Sequence, residues 1–261
     1  MDDATLIDHL LRARLAGDVS TTVKNTRSKI EGLFGGDPRC DFGISACSSA
    51  DSKEIDHALL RTAGTRLVDD ELPCTIDPRK TLAGIEMHAR VFAEHLRTGS
   101  SVLLATGHPG GLLEHYVRLG AELERAGASL LRPLDGGPVI ETGLDIEPPS
   151  SVRFIGGVAC VYRAPGSLAH SHLPHYMAAM LDELARRGSA IELVIADHGM
   201  AGVALERGIP TLSIADVNDI PLLLVSEQED HALLVIDDNR PPAVFRPITD
   251  SILERAGARV R

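Results

Sequence analysis

Histidines and acidic residues able to bind a metal or to transfer protons follow short apolar segments of this 261-residue chain. Runs such as 101–106 and 191–196 have the length and composition of buried strands, and polar residues come directly after them. Because the carboxyl ends of parallel strands meet at one edge of a sheet, we expect these polar residues to converge. They are His108, Asp197, His198, Asp216, Asn218, Asp219, Asp237, Asp238 and Asn239.

Two further ligands are expected from His170 and His172, which are one residue apart. In extended backbone both rings project to the same side, as two ligands of one ion would; by itself, the motif is equally typical of a polar surface loop. Imidazoles and carboxylates without a thiolate are suitable ligands for Mg²⁺, Mn²⁺, Fe or Zn²⁺, and the donors suffice for one or two ions. We predict a metal site formed by His170, His172, Asp197, Asp216, Asn218, Asp219 and Asp237. The candidate catalytic residues, as ligands or proton donors, are His108, His198 and Asp197.

A glycine-rich turn follows the run 101–106 and leads into a pattern of helical spacing. Backbone amides and a helix N-terminus at such a turn could hold an anion, so Thr106, Gly107, Gly110 and Gly111 are predicted to bind substrate. Weaker candidates for substrate binding are Lys24, Asn25, Arg132 and Arg163. Lys24 and Asn25 belong to the hydroxyl-rich segment 19–25, whose pattern favours a solvated connector. The turn matches neither G-x-G-x-x-G nor a P-loop, and the chain has no G-x-S-x-G to support a serine hydrolase.

The arrangement of predicted elements changes at about residue 100. Before it, helix signals dominate: Asp51 with Glu54 is typical of a capping box, and Asp77 before Pro78 predicts a helix that Gly99 ends. After it, apolar runs and helical patterns alternate, with a Gly/Pro-rich loop at 133–149. We therefore predict an α/β fold, a three-layer αβα, Rossmann-like structure with a mostly parallel sheet. Residues 1–261 would form one domain, in which the mainly helical residues 1–100 pack on a βαβ core, 101–261.

Composition excludes several kinds of partner. A net charge of −11 and 3% aromatic residues argue against nucleic-acid binding. No apolar stretch approaches the roughly 20 residues of a membrane span, and the acidic N-terminus does not resemble a secretory signal, so a cytoplasmic location is expected. The apolar helices of the first hundred residues leave a homo-oligomer open. An anionic small-molecule substrate would need a local cation to offset the acidic protein, and a metal would provide it.

Several of these segments together resemble a family of actinobacterial phosphatases. The similarity lies in residues 105–116, in His170-Ser-His172, and in 196–202, 214–219 and 237–239, in the same order. Gly110 stands where the family more often has Thr, and Ser171 where Thr is usual. The resemblance implies a metal-dependent phosphatase that hydrolyses a small phosphomonoester, such as a sugar phosphate, a nucleotide or a biosynthetic intermediate, through a metal-activated water.

Two other functions stay open from the sequence. The glycine-rich turn and residues 214–219 faintly resemble D-glutamate cyclase-like proteins, so a metal-dependent lyase, cyclase or isomerase acting on a small carboxylate or sugar acid is the main alternative. A non-catalytic metal- or nucleotide-binding module is the third. Release of inorganic phosphate from phosphomonoesters distinguishes the first function from the other two.

Overall fold

The computed structural model of the protein describes residues 1–138, 140 and 150–258. Its strands are β1 (Gly17–Thr22), β2 (Pro73–Ile76), β3 (Ser101–Thr106), β4 (Ser129–Leu130), β5 (Ser151–Ile155), β6 (Val158–Arg163), β7 (Ser167–Ala169), β8 (Leu193–Asp197), β9 (Thr211–Ala215) and β10 (His231–Val235). Its helices are α1 (Asp3–Arg12), α2 (Val23–Phe34), α3 (Pro38–Asp41), α4 (Ser52–Thr62), α5 (Pro78–Thr98), α6 (Pro109–Arg125), α7 (His175–Arg186), α8 (His198–Glu206), α9 (Ile220–Leu224) and α10 (Arg246–Arg255). Short 3₁₀ helices cover Ser45–Ser49 and Pro242–Phe245.

The main sheet has the strand order β10-β9-β8-β3-β6-β5. The strands from β10 to β6 are parallel, β4 pairs in parallel with the start of β3, and β5 and β7 run antiparallel to β6. The predicted mostly parallel sheet is therefore confirmed. The carboxyl ends of β3, β8, β9 and β10 lie at one edge, where the candidate residues follow.

Helices cover both faces of this sheet. On one face α5 packs on β10, and α1, α6 and α10 pack around it; on the other, α8 packs on β8 and β9 beside α7 and α9. Gly84 allows α5 to approach β10 closely, because a Cβ at this position would lie 2.9 Å from the Cα of Leu234. The predicted three-layer αβα arrangement is confirmed.

The strongest helix-start signals in the sequence give the expected helices. Asp51 and Glu54 form a reciprocal capping box at α4, which satisfies backbone amides that the first turn leaves free. Asp77 caps α5 through the amide of Arg79, Pro78 occupies the first turn, and Gly99 ends the helix at φ +65°.

Local structure differs from what the sequence suggests in two segments. Residues 19–25 are not a solvated connector: they form most of β1, which pairs with β2, and the first turn of α2. The run 152–161, whose composition is typical of a single strand, is divided between β5 and β6 because Gly156 and Gly157 turn the chain at φ +57° and +88°. In the predicted loop 133–149, residue 139 and residues 141–149 lie outside the described residues. Within those that are described, no helix has the length and apolarity needed to cross a membrane.

Candidate metal centre

Four imidazoles converge at the carboxyl edge of the sheet. His108 lies between β3 and α6, His170 and His172 follow β7, and His198 begins α8. The ring centroids of His108 and His170 are 4.5 Å apart, and those of His172 and His198 are 4.2 Å apart. The rings of His170 and His172 connect the two pairs at 4.8 Å. The structure thus unites the His-x-His motif with the two histidines that follow β3 and β8.

Asp238 joins this cluster in a geometry that suits metal binding. Its Oδ2 lies 3.4 Å from Nδ1 of His108 and 3.2 Å from Nε2 of His198. Oδ2 of Asp219 lies 3.6 Å from the same nitrogen of His198. Ligand bonds of about 2.1 Å place neighbouring tetrahedral ligands about 3.4 Å apart, so these donors are spaced like ligands of one ion.

Buried polar atoms in this cluster have no hydrogen-bond partner among the described residues. They are Nδ1 of His108 and His172, Oδ1 of Asp219 and Oδ2 of Asp238. Nδ1 of His198 also lacks hydrogen-bond geometry, but it lies 3.0 Å from Oδ1 of Asp197. An unsatisfied buried polar atom costs about 1–3 kcal/mol, so such a concentration requires a compensating ligand. In each of two groups, the donor atoms lie within 4.8 Å of one another. One group comes from His108, His170 and His198, and the other from His172, His198 and Asp219. The residues present fit a divalent cation.

Asp197 has a supporting position behind the cluster. Its Oδ2 accepts a hydrogen bond from Oγ1 of Thr106 at 2.6 Å, and its Oδ1 accepts one from the amide of Gly107 at 2.7 Å. The same Oδ1 lies 3.0 Å from Nδ1 of His198. Thr106 and Gly107 therefore fix Asp197 against Nδ1 of His198, the position from which carboxylates commonly orient metal-binding histidines.

Two glycines that were predicted to cradle a phosphate bring site segments together. A Cβ on Gly107 would lie 2.2 Å from the backbone oxygen of Ser171, and a Cβ on Gly111 would lie 2.5 Å from that of Asp238. The amide of Ser171 also donates to the oxygen of Gly107 at 2.8 Å. The segment that carries His170 and His172 is therefore fixed against the turn after β3.

The other predicted acidic ligands are largely occupied by the protein. Asp237 is fully buried, and its two oxygens accept hydrogen bonds from the amides of Ser20 and Asn239 at 2.7 and 3.0 Å. Asp216 accepts from the amide of Val217 at 2.6 Å and from the hydroxyl of Thr21. Strand β1, which contains Ser20 and Thr21, is consequently attached to the sheet edge through these two carboxylates.

A cavity of about 340 Å³, here called the inner cavity, opens beside the cluster. It is lined by Ser20, Thr21, Thr22, Asn25, His108, His170, His172, His198, Asp216, Asn218, Asp238 and Asn239. Asn218 donates to Oδ1 of Asn25 at 2.7 Å, which links the end of β9 to helix α2. The wall opposite the imidazoles therefore comes from β1 and the start of α2, the segment predicted to be a solvated connector.

Several predicted site residues lie outside this lining. Those in the supporting framework are Thr106, Gly107, Gly111, Asp197 and Asp237. Asp219 also lies outside the lining, but its unpartnered Oδ1 belongs to the donor cluster, while its Oδ2 accepts from the amide of Asp216 at 2.8 Å. Gly110 and Lys24 are exposed, and Arg132 lies 3.6 Å from Glu124, with about half of its side chain exposed. Arg163 ends β6 and does not line the inner cavity. The geometry thus gives no support to these four residues as direct contacts to a ligand in that cavity.

The sequence prediction included Asp238 in the strand-end cluster but chose Asp237 as the ligand, and it missed the hydroxyl groups of β1. Asp237 and Asp238 are adjacent, and neighbouring side chains in extended backbone point in opposite directions, so the two carboxylates do not face the cavity together. The sequence offered no means of choosing between them. Ser20, Thr21 and Thr22 had no apolar alternation strong enough to predict the strand on which they lie.

Electrostatic interactions in the cluster are strongly coupled. Burial lowers the pKa of His170 to about 4 and that of His172 well below its usual value, and neighbouring imidazoles add to both shifts. Burial and nearby carboxylates raise the pKa of Asp216 well above its usual range. The pKa of His198 is raised despite burial, because the carboxylates of Asp219, Asp197 and Asp238 favour its charged form. So many buried acidic groups at one place favour a bound cation.

Backbone strain also marks the junction of β8 and α8. His198 has a φ of +47°, which lies in the left-handed region of backbone conformation that residues other than glycine rarely adopt. Such strain costs on the order of 1–3 kcal/mol and concentrates at functional sites. The next residue, Gly199, packs so closely that a Cβ would lie 2.3 Å from the backbone oxygen of His172. This junction fixes the ring of His198 among the other imidazoles.

Fold and site define an α/β protein with an imidazole–carboxylate centre, suited to a metal, at the carboxyl edge of a parallel sheet. The family model described as Phosphatase matches residues 1–260, and the chain belongs to this family. It is 33% identical over 264 residues to "Phosphatase SCO2771" of Streptomyces coelicolor, with 97% of this chain and 96% of that protein covered. No solved structure gives a significant match. The expected phosphatase family is confirmed, and a homologue from an actinobacterium agrees with it.

Proposed function

We propose that the protein is a metal-dependent phosphatase that hydrolyses a small phosphomonoester. The main observation is the group of buried, unpartnered donor atoms on His108, His172, Asp219 and Asp238 beside a cavity of small-molecule size. Membership of the phosphatase family supplies the reaction class. A divalent ion would neutralise the charge of the ester and lower the pKa of an attacking water.

The chain's residues divide into ligands and positioning groups. His108, His198 and Asp238 are the central ligands in this proposal, and His170, His172 and Asp219 complete one or two ion positions. With so many imidazoles, the set favours Zn²⁺, Fe or Mn²⁺ over Mg²⁺. His108 and His198, considered above as proton donors, are assigned as ligands because both are buried against Asp238.

Asp197 and Thr106 act behind the ligands. Asp197 is proposed as a positioning residue for His198, since its oxygens are occupied by Thr106 and Gly107. Thr106 also accepts a hydrogen bond from the amide of His108 at 2.9 Å. A single hydroxyl thus links the positions of His108 and His198, which come from different strands.

The phosphate group would bind against the polar wall of the inner cavity. Thr21, Thr22, Asn25 and Asn218 supply hydroxyl and amide groups there. Thr22 caps α2 by accepting from the amide of Asn25 at 3.1 Å, so the positive end of a 12-residue helix dipole lies beside the cavity. These groups would hold phosphate oxygens opposite the imidazoles, in place of the predicted glycine cradle.

The test combines metal analysis with a phosphate-release assay. Purified protein is expected to contain at least one Zn²⁺, Fe or Mn²⁺ per chain and to release phosphate from a panel of sugar phosphates, nucleotides and phosphorylated acids. Chelation should abolish the release and metal addition should restore it, whereas His172→Ala should lose both metal and activity. Metal binding with turnover of a carboxylate or sugar acid, but without phosphate release, would instead establish the lyase, cyclase or isomerase alternative.

A further inference from the structure

A second cavity continues from the inner one. This outer cavity has a volume of about 730 Å³ and shares Asn25, His170 and His172 with the inner cavity. It lies between α2, α3 and the segment after β7, and its other lining residues are Ser28, Lys29, Glu31, Gly32, Asp37, Arg39, Cys40 and Ser171. A substrate whose phosphate occupies the inner cavity would extend past His170 and His172 into this space.

Lys29 carries a charge that the protein leaves available in the outer cavity. The guanidinium of Arg39 is engaged by Asp37, through contacts of 2.6 to 3.1 Å. Lys29 is half-buried and has no ion pair with any residue that the structure describes. Glu31 is exposed and also lines a neighbouring cavity. Solvent therefore screens its carboxylate, which offsets the charge of Lys29 less than a buried carboxylate would. A buried or half-buried cation without a partner favours an anionic ligand.

The position of Lys29 on α2 fits a substrate with two anionic groups. Asn25 and Lys29 are four residues apart and therefore share one face of the helix, separated by about 6 Å along its axis. Asn25 lines both cavities, whereas Lys29 lines only the outer one. The face of α2 thus runs from the proposed phosphate position to a free ammonium group one turn further along.

We propose that Lys29 determines specificity by binding a second anionic group of the substrate, a carboxylate or a second phosphate. The inference rests on the proposed phosphatase function and narrows its substrate class to small phosphorylated acids or bisphosphates. The described residues that line the outer cavity include no Phe, Tyr or Trp, so a nucleobase would lack an aromatic surface for stacking. Nucleotides are accordingly less favoured than the acids.

Two matched substrate pairs test the role of Lys29. The first pair is 3-phosphoglycerate and glycerol 3-phosphate, and the second is 6-phosphogluconate and sorbitol 6-phosphate; each pair differs in one terminal carboxylate. The metal-loaded wild-type protein should prefer the carboxylate member of at least one pair in kcat/KM. Lys29→Met should reduce that preference about tenfold, and Lys29→Arg should retain most of it. Lys24→Met, on an exposed position of the same helix that lines neither cavity, should leave the preference unchanged.

Binding by calorimetry separates this inference from the proposed function. If no phosphate is released from any compound, the phosphatase proposal fails, and the ratio of dissociation constants within each pair then tests Lys29 directly. A wild-type preference that Lys29→Met removes supports the inference in either assay. Three results would overturn the inference. They are equal kcat/KM or dissociation constants for both members of each pair, a preference that persists in Lys29→Met, and no binding of any of the four compounds. Thermal unfolding of each variant verifies that the fold is intact.

Discussion

Buried histidines occur in two regions of this protein, and the surroundings of their rings differ. In the core, Nε2 of His88 donates to the backbone oxygens of Ser213 and Ala232, at 3.1 and 3.0 Å. His231 lies 2.6 Å from the hydroxyl of Ser213 and 3.1 Å from the oxygen of Val225. At the sheet edge, Nδ1 of His108 and Nε2 of His198 lie instead 3.4 and 3.2 Å from Oδ2 of Asp238.

The difference separates histidines with a structural role from histidines whose surroundings suit metal binding. A core ring that donates to backbone oxygens is held neutral, and burial lowers the pKa of His88 and His231 to about 4. A ring beside several carboxylates favours a cation. An unpartnered nitrogen alone does not separate the two kinds of histidine, because Nδ1 of His88 also has no partner among the described residues. Burial by itself does not distinguish the two; the identity of the partner atoms does.

The largest expected effect separates the two adjacent aspartates after β10. Asp238→Asn should lower the metal content to a small fraction of one ion per chain and reduce kcat/KM about 10³-fold. The reason is that a catalytic metal would supply several kcal/mol of transition-state stabilisation. Asp237→Asn should retain the metal but destabilise the fold by about 1–3 kcal/mol, because a backbone amide loses its acceptor. Elemental analysis and thermal unfolding measure both. Full metal occupancy in Asp238→Asn would remove this residue from the centre.

Close packing around the glycine-rich turn gives the next largest effect. Gly107→Ala should displace Ser171, and with it His170 and His172, so kcat/KM should fall about 10²-fold, as misplacement by about 1 Å can do. Gly110→Ala is the matched control, because no atom lies within 4 Å of the Cβ it would add, and its activity should stay within about twofold. If Gly110→Ala lost activity while Gly107→Ala retained it, the result would favour the phosphate-binding turn predicted from the sequence.

The hydroxyl of Thr21 tests the contribution of β1 to the sheet edge. Thr21→Val removes the donor to Asp216 and should lower kcat/KM about tenfold and stability by about 1–2 kcal/mol, because a buried carboxylate loses a partner. Thr21→Ser keeps the hydroxyl and should behave like the wild type. Kinetics and denaturant unfolding report the two effects. Wild-type kcat/KM and stability in Thr21→Val would show that this hydroxyl does not contribute to the site.

The core histidines should make the protein sensitive to acid. The pKa of His88 is lower in the folded chain than the usual 6.5, so the unfolded chain binds the proton more readily. The stability is therefore complete above about pH 6.5 and is lost as the pH falls towards 4. His88→Gln should reduce the loss between pH 7 and 5.5 by about 1 kcal/mol, measured by urea unfolding at each pH. An identical acid-induced loss in the variant would contradict this assignment.

Local sequence signals predicted much of the fold. Apolar runs of strand length gave β3, β8, β9 and β10, and the caps at Asp51 and Asp77 gave α4 and α5. The hydroxyl-rich strand β1 escaped prediction because its pairing with β2 joins residues far apart in the chain. A strand without clear alternation is specified by such contacts rather than by its own composition.

By itself the sequence determined the α/β class, the parallel sheet edge at which His and Asp residues gather, and the donor types that suit a metal. Those properties follow from local periodicity and from the rule that parallel strands end together. Only the tertiary structure decided that Asp238 rather than Asp237 faces His108 and His198, that Gly107 joins two segments, and that β1 and α2 complete the cavity. These depend on which oxygens backbone amides already occupy and on how closely distant segments pack, neither of which the order of residues displays.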